Sequence, residues 1–423
     1  MKVLIVSHNP LSDQSNMGKT LCSLFSGFEP EELCQLYIYP TVPNARRCGS
    51  YFRITDKDAL RAVVTRKCPG GEVRRMEAGQ GMYESAADAR FYRCRRNQSA
   101  VRRLLRDAMW RRSGWYSEKL RRWLGKQKPE VLFVAPGGAK FLYDFALEIG
   151  SALQIPIVTY LCDEYYFVKE PKGPLSRLRL RLLQEKMEEL MQKTSHLVTI
   201  SPELAAPYEK VFSLPATVLM TGAAIVPAVG AKVAEKREEI SYFGNIRCNR
   251  YLSLAEIGRE LDAINAELGT QYQLNIYTAE QDAQILSALK RCRSVEICGF
   301  LSGDAFTQAL ENARLLLHTE AFDEKSVDFT KHSVSTKIAD SLASGIPLLA
   351  YGPENVASMA HLWRNGCAIL ATSRRDLREA LLTAFTDTES CRRAAEKGLL
   401  TAKTYHDSSA VSTKLREIFE GIL

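Results

Sequence analysis

Ser333-Val-Ser-Thr-Lys-Ile-Ala-Asp-Ser-Leu-Ala-Ser-Gly-Ile-Pro-Leu-Leu-Ala-Tyr-Gly352 is the stretch whose reading decides the fold. Hydroxyl residues open it, Thr336–Ser344 has helical spacing, Gly345 interrupts, and Ile346–Tyr351 is an apolar run closed by Gly352. That order predicts a polar turn, a short helix, a glycine stop and a buried strand. Ser335 and Thr336 fall where a helix cap belongs, and Lys337 falls in the first turn. A helix start carries unpaired N–H groups and a partial positive charge, so a helix that only packs favours a carboxylate there. Hydroxyls and an ammonium at that place make a seat for phosphate instead.

The same alternation of short apolar runs with helical patterns extends outward in both directions, which predicts an α/β fold with parallel sheets. Strands are expected at Val3–Ser7, Leu36–Tyr39, Val131–Ala135, Ile157–Leu161, Leu197–Ile200 and Val218–Met220 in the first half. In the second half they are expected at Ile240–Phe243, Leu274–Tyr277, Val295–Cys298, Leu315–His318, Pro347–Tyr351 and Ala368–Ala371. Between the halves, Gly222-Ala-Ala-Ile-Val-Pro-Ala-Val-Gly-Ala231 reads as a linker. The 423 residues suit two domains. We place an N-terminal acceptor-binding Rossmann-like domain at 1–225, a donor-binding domain at 226–402 and a C-terminal capping helix at 403–423.

Hydrophobic content of 46% and charged content of 25% are those of a globular protein. No apolar run reaches the ~18 residues that suggest a spanning helix, and Met-Lys-Val-Leu-Ile-Val-Ser at the start reads as a strand rather than a signal peptide. The 11 cysteines form no Cys-x-x-Cys pair, which points to a reduced, cytoplasmic protein without structural zinc. The net charge of +8 is concentrated in 90–128, where fourteen Lys and Arg meet only Asp107 and Glu118. Val101, Leu104, Leu105, Ala108 and Met109 recur there at helical spacing, with Trp110, Trp115 and Tyr116 interleaved. Two readings stand: an amphipathic segment drawn to an anionic membrane surface, or a helix pair packed on its own domain with a solvated basic face. No nucleic-acid reading motif accompanies the charge, so nucleic acid is not expected.

Asn16-Met-Gly-Lys-Thr20 imitates a P-loop and fails, because position 13 is Asp13 where the pattern needs glycine. It leaves a loop after the first strand in which Gly18 permits close backbone approach to a ligand, or a plain strand-to-helix turn. Gly244, Arg247 and Arg250 follow the strand Ile240–Phe243, and arginine suits bidentate phosphate contacts. Asp163 and Glu164 follow Ile157–Leu161, as proton-transfer or sugar-orienting groups or as a helix-start acidic pair. Glu320, Asp323 and Glu324 follow Leu315–His318 as polyol ligands or an exposed acidic loop, with Glu324 assigned to the latter. His8, directly after the first strand, reads as a cleft-lining residue or as a structural donor, and His332, before the phosphate seat, as a residue that shapes the turn.

Taken together, Tyr242-Phe-Gly-Asn-Ile with Arg250, Gly299-Phe with Leu301, Leu315-Leu-Leu-His-Thr-Glu320 and Ser333–Tyr351 resemble retaining GT-B glycosyltransferases of the group often called family 4. Tyr351-Gly-Pro-Glu and Tyr405-His are similar to polysaccharide-assembling members. The resemblance implies two Rossmann-like domains facing across a cleft. It also implies metal-independent transfer of a sugar, with retention, from a nucleotide-diphosphate sugar to a glycan or lipid-linked acceptor. No cofactor beyond the donor substrate is implied. The site is expected at the inner face of the cell membrane or in the cytoplasm. Carried onto this chain, it puts Gly18, Arg247, Arg250, Ser335, Thr336 and Lys337 on the donor diphosphate and Asp340, Glu320 and Asp323 on ribose or sugar. Gly299 and Phe300 fall by the nucleobase, and Asp163, Lys337 and Arg250 take the catalytic roles. The family's Glu-x7-Glu pattern is absent, since His332 stands eight residues before Asp340. A sugar-nucleotide epimerase and a non-catalytic nucleotide-sugar-binding subunit therefore stand as alternatives.

Overall fold

The structure, a computed structural model, describes residues 1–12, 16–43, 47–67, 69–73, 99–169, 171–225, 230–233, 238–301 and 303–423. It divides into two compact units, Met1–Leu219 with Ser412–Leu423, and Met220–Val411. Part of the linker stretch, at 226–229, lies outside the described residues, as do Arg90, Arg93, Arg95 and Arg96.

Among the described residues, the first unit holds β1 (Val3–Ser7), β2 (Leu33–Tyr37), β3 (Ser50–Arg53), β4 (Gly71–Val73), β5 (Val131–Ala135), β6 (Ile157–Leu161), β7 (Thr194–Thr199) and β8 (Ala216–Val218). They form one sheet in the order β4-β3-β2-β1-β5-β6-β7-β8. Every pair is parallel except β3 with β4. β1 is central: Ile5 sits between Gln35 and Phe133. All residues of β1, β2, β5 and β6 are buried, as parallel strands covered on both faces require. β3 and β4 were not expected from the sequence.

Within the basic region the structure decides for packed helices. Ser99 and Ser117 cap the helices Ala100–Arg112 and Glu118–Gln127 by accepting N–H bonds from Arg102 and Leu120. Trp110 stacks on Phe141 with centroids 4.6 Å apart, and Trp115 stacks on Phe145 at 3.9 Å. Trp123 is buried beside Phe52, and Leu124 is buried as well. The tryptophans are core residues, not an interfacial belt. Buried Asp56 accepts two bonds from Arg106, at 2.8 and 3.1 Å, and one from Trp110 Nε1 at 2.7 Å.

The second unit holds β9 (Glu239–Phe243), β10 (Gln273–Tyr277), β11 (Val295–Gly299), β12 (Leu316–Thr319), β13 (Leu348–Tyr351) and β14 (Ile369–Ala371), in the order β11-β10-β9-β12-β13-β14. Its core gathers Ile240, Leu254, Leu274, Leu317, Leu349 and Leu381. The last helix, Ser408–Ile422, delivers Phe419 to an aromatic cluster of the first unit, 6.2 Å from Phe25, 5.9 Å from Phe28 and 6.2 Å from Phe133. Arg416 in that helix pairs with Glu32 at 2.8 Å and covers the Phe28 ring.

Two buried histidines of the second unit touch, His361 Nε2 lying 3.0 Å from His406 Nε2. Burial, then the neighbouring His406, holds His361 down to about 3. In the first unit burial, then the charge of Arg106, holds His8 down to about 4. Both are neutral when folded and take up protons near 6.5 when unfolded. The unfolded chain binds more protons below that value, so stability falls as pH falls from 6.5 toward 4. By pH 5 each costs roughly 2 kcal/mol. A melting temperature that stays level between pH 7 and about pH 5 contradicts this assignment.

Candidate functional site

In open parallel sheets, ligands lie beyond the carboxyl ends of the strands where the strand order reverses. In the second unit that reversal falls between β9 and β12, since β10 and β11 continue to one side and β13 and β14 to the other. A recess lies there, lined among others by Phe243, Arg250, His318, Ser335, Lys337 and Asp340. Three chain segments distant in sequence therefore meet: the turn after β9, the end of β12, and the start of the helix Thr336–Ala343.

The helix start is electrostatically open. Ser335 occupies the cap position, but its side chain accepts no cap bond. Its backbone N–H instead donates to Ser358 Oγ at 3.0 Å, and that hydroxyl donates to the Ser333 carbonyl at 3.2 Å. The cap turn is thus fixed from outside while the first-turn N–H groups keep no side-chain cap. Such groups attract an anion. Lys337 runs beneath Gly244: a Cβ added there would stand 3.0 Å from Lys337 Cε and 3.2 Å from Tyr242 Oη. Any side chain there would press the Lys337 methylenes aside. Thr336 opens the helix without lining the recess, whereas Asp340 and Ser341, one turn on, do line it.

The turn after β9 places the second cation. Cys248 and Asn249 both take left-handed backbone, with φ of 52° and 57°, so that Arg250 begins the helix Arg250–Leu268. Arg250 Nε and Nη2 donate to the two oxygens of Glu320 at 3.0 and 3.1 Å. Glu320 is 1% exposed. Burial raises its pKa, but the charge of Arg250 and the neighbouring His318 outweigh this and hold the carboxyl below its ordinary range. Burial likewise lowers Arg250, yet Glu320 outweighs it and the guanidinium is raised. Glu320 therefore anchors Arg250, and it does not line the recess. His318 stands 3.4 Å from Glu320 on the same strand end.

Other expected residues lie apart from the recess. Arg247 donates to both oxygens of Glu280, at 2.5 and 2.9 Å, and hydrogen bonding to Arg247 holds Glu280 down to about 2. Asp323 accepts from Asn249 Nδ2 at 3.0 Å and from the Ser326 N–H at 3.1 Å, which caps the helix Glu324–Thr330. Gly299 ends β11, two strands from the crevice, and Phe300 just after it faces solvent. The aromatic wall of the recess is instead Phe243 and Phe306. Phe243 stacks on Tyr277 with centroids 4.7 Å apart and meets the edge of Phe306 at 5.4 Å.

In the first unit the order reverses between β1 and β5. His8 follows β1, Gly137 and Gly138 follow β5, and Asp163 follows β6. A Cβ on Gly137 would lie 3.5 Å from His8 Nε2 and 3.6 Å from Tyr165 Oη. Tyr165 donates to Asp163 at 3.2 Å, and Arg179 donates to the Gly138 carbonyl at 2.7 Å. This Gly137–Gly138 turn and Arg179 escaped the sequence reading, although Ala135-Pro-Gly-Gly after an apolar run is a readable turn signal. Glu164 is turned into the protein, accepting from the Phe167 N–H and from Tyr208 Oη at 2.8 and 2.9 Å. Gly18 is buried within the helix Asn16–Leu24.

A fold of two Rossmann-like units, each with its strand-order reversal, is the GT-B arrangement. Solved structures share it along the whole chain. HepE of Anabaena in complex with UDP matches with TM-score 0.63 and 11% identity over 100% of both chains. Sucrose-phosphate synthase of Thermosynechococcus elongatus matches with TM-score 0.62 and 9% identity, over 100% of this chain and 99% of that one. The UDP-forming α,α-trehalose-phosphate synthase of Burkholderia xenovorans, solved with glucose-6-phosphate, matches with TM-score 0.60 and 12% identity over 99% and 100%. At these identities the likeness shows the fold. No protein-family model matches the sequence, and no curated protein matches it. Among the described residues no helix is long and apolar enough to cross a membrane.

Proposed function

We propose that this protein is a glycosyltransferase of the retaining, family 4 kind, moving a sugar from a nucleotide-diphosphate sugar to a glycan or lipid-linked acceptor of polysaccharide assembly. One observation carries the reading: Lys337, Arg250 and an uncapped helix start converge on one recess walled by Phe243 and Phe306. Cations and N–H dipoles fit a diphosphate, and the aromatic wall fits a base. The structural neighbours support it, since HepE was solved with UDP and with UDP-glucose.

In this reading the departing diphosphate spreads its charge over Lys337, Arg250 and the first-turn N–H groups of the helix Thr336–Ala343. Preorganised charge of this sort stabilises the transition state without reorganisation. Asp340 takes a ribose hydroxyl. Asp163, oriented by Tyr165, serves the sugar at the first unit, with the Gly137–Gly138 turn beside it, and Gly18 keeps its role on the donor diphosphate. Arg247 reaches the diphosphate only by releasing Glu280. The chemistry needs no metal, because the protein's own cations neutralise the leaving group.

Thermal shift with UDP-, GDP-, ADP- and CMP-linked sugars tests donor binding. One nucleotide class at a hundredfold excess over its Kd should stabilise the protein by about 2.7 kcal/mol, a shift of several degrees. EDTA should leave both the shift and sugar transfer unchanged. Silence toward every donor, or strict dependence on a divalent ion, overturns the proposal. The engagement of Arg247 by Glu280 and of Arg250 by Glu320 favours one rival, a binding subunit without turnover. Donor binding without hydrolysis or transfer on any acceptor would decide for it.

A further inference from the structure

Among the described residues, Glu320 stands beside Arg250 and His318 but is hydrogen-bonded only to the first of them. Arg250 takes both carboxylate oxygens, at 3.0 and 3.1 Å. His318 Nε2 lies 3.4 Å from Oε1 and, although buried, makes no hydrogen bond. A carboxylate accepts about four bonds, so Glu320 has room for a further donor. The strands fix the place of the ring. Leu316 pairs with Ser241, so two residues on His318 and Phe243 end level on the same face, and both line the recess. His318 is only 7% exposed, and an orphaned nitrogen in so buried a side chain calls for a use.

The charges around the recess suggest that use. Its cations Lys337 and Arg250 are matched by the carboxylates of Asp340, in its wall, and Glu320, behind Arg250. Tyr242, on β9, donates to the Asn245 carbonyl at 2.8 Å and is neutral, since burial pushes it up to about 12. A nucleotide-diphosphate sugar adds a negative charge on each phosphate, which this balance leaves unmatched. It also makes a second claim on the Arg250 guanidinium, at the expense of Glu320. That carboxylate is 1% exposed, and a buried charge that loses its partner is costly. Imidazole is the side chain that gains a full charge near neutral pH, and a small turn of the His318 ring brings 3.4 Å to hydrogen-bond range.

We propose that His318 is a positioning residue that takes up a proton as the donor binds and bonds Glu320, which frees Arg250 to turn to the diphosphate. The proton comes from solvent, both ring nitrogens then carry hydrogen, and Nε2–H donates to Glu320 Oε1. No other bond forms or breaks. The proposal rests on the donor reading and adds to it a dependence on pH. Because binding takes up a proton, lower pH favours it. Donor affinity should rise by up to about tenfold for each unit that pH falls, until His318 is charged in the donor-free protein as well.

Titration calorimetry of the full chain with UDP-glucose, GDP-mannose and ADP-glucose, each in two buffers of different ionisation enthalpy just above neutral pH, counts the protons. These donors have no phosphate that titrates there, so the protons counted belong to the protein. The parent should take up about one proton per donor bound. His318→Gln keeps a hydrogen-bonding side chain without a charge, so it should take up none and bind at least about tenfold more weakly, with an affinity level in pH. Should that variant lose donor binding altogether, histidine NMR of the parent decides: one ring signal, missing from His318→Gln, should move to its charged position when donor is added. A parent that binds no donor sinks the donor reading and this proposal with it. Binding by the parent without proton uptake, uptake that persists in His318→Gln, or a His318 signal that stays neutral overturns this proposal alone.

Discussion

Lys337→Ala should lower turnover about a hundred- to a thousandfold while leaving the protein folded. The size follows from the place of the ammonium. It lies in the first turn of a helix whose N–H groups have no side-chain cap, so it reinforces an existing dipole. Charge that grows on a departing diphosphate meets it only in the transition state. The loss should thus fall more on kcat than on KM for the donor. Lys337 is half-buried in the wall of an open recess, so truncation leaves a solvent-filled space rather than a core cavity. Steady-state kinetics with the nucleotide sugar found by thermal shift gives the measurement. Turnover equal to that of the parent would remove Lys337, and with it the proposed leaving-group site.

Glu320→Ala should be the most destabilising single change at the site. It strips a half-buried arginine of a bidentate partner and His318 of a neighbour. Removing one member of a fully buried pair costs about 3–5 kcal/mol, and the opening of Arg250 to the recess puts the expected loss at the lower end, about 3 kcal/mol. Replacing both, as in Arg250→Met/Glu320→Leu, should restore most of the stability and none of the donor binding. That contrast in urea melts separates the anchor from the ligand contact. The pair also fixes a direction with pH. Glu320 is held below its ordinary value of 4.5, so its stabilisation is present above that value and is lost as pH falls through the folded value. A Glu320→Ala protein as stable as the parent would show that the pair carries no load.

How far the sequence revealed this molecule depended on how local each signal was. The helix Thr336–Ala343 and strand Leu348–Tyr351 fall where Ser333–Gly352 announced them, because glycine stop, spacing and apolar run are all neighbours in sequence. β3 was illegible: Ser50–Arg53 has only Tyr51 and Phe52 as apolar residues, and pairing with Cys34–Tyr37 makes it a strand. At the candidate site, Lys337, Arg250 and Asp340 were readable from strand-end loops. Glu280 and Phe306 were not, because the turn after β10 and a helix after β11 bring them to Arg247 and Phe243. Glu320 was noticed as an acid, but its burial by Arg250 depends on β12 lying beside β9. The tryptophans show the limit of periodicity. Spacing says that one face of a helix is apolar, and packing alone says what covers it.

The last twelve residues, Ser412–Leu423, belong to the unit that the first 219 residues begin, while Met220–Val411 is one continuous piece. On a ribosome adding about 5–20 residues per second, roughly 10–40 s pass between completion of β8 and arrival of Phe419. Through that interval Phe25, Phe28 and Phe133 wait without their final aromatic neighbour. The later-made unit has all its residues in hand first, so the order of maturation runs against the order of synthesis. A nascent chain stalled near residue 411 should therefore protect its second sheet from protease better than its first.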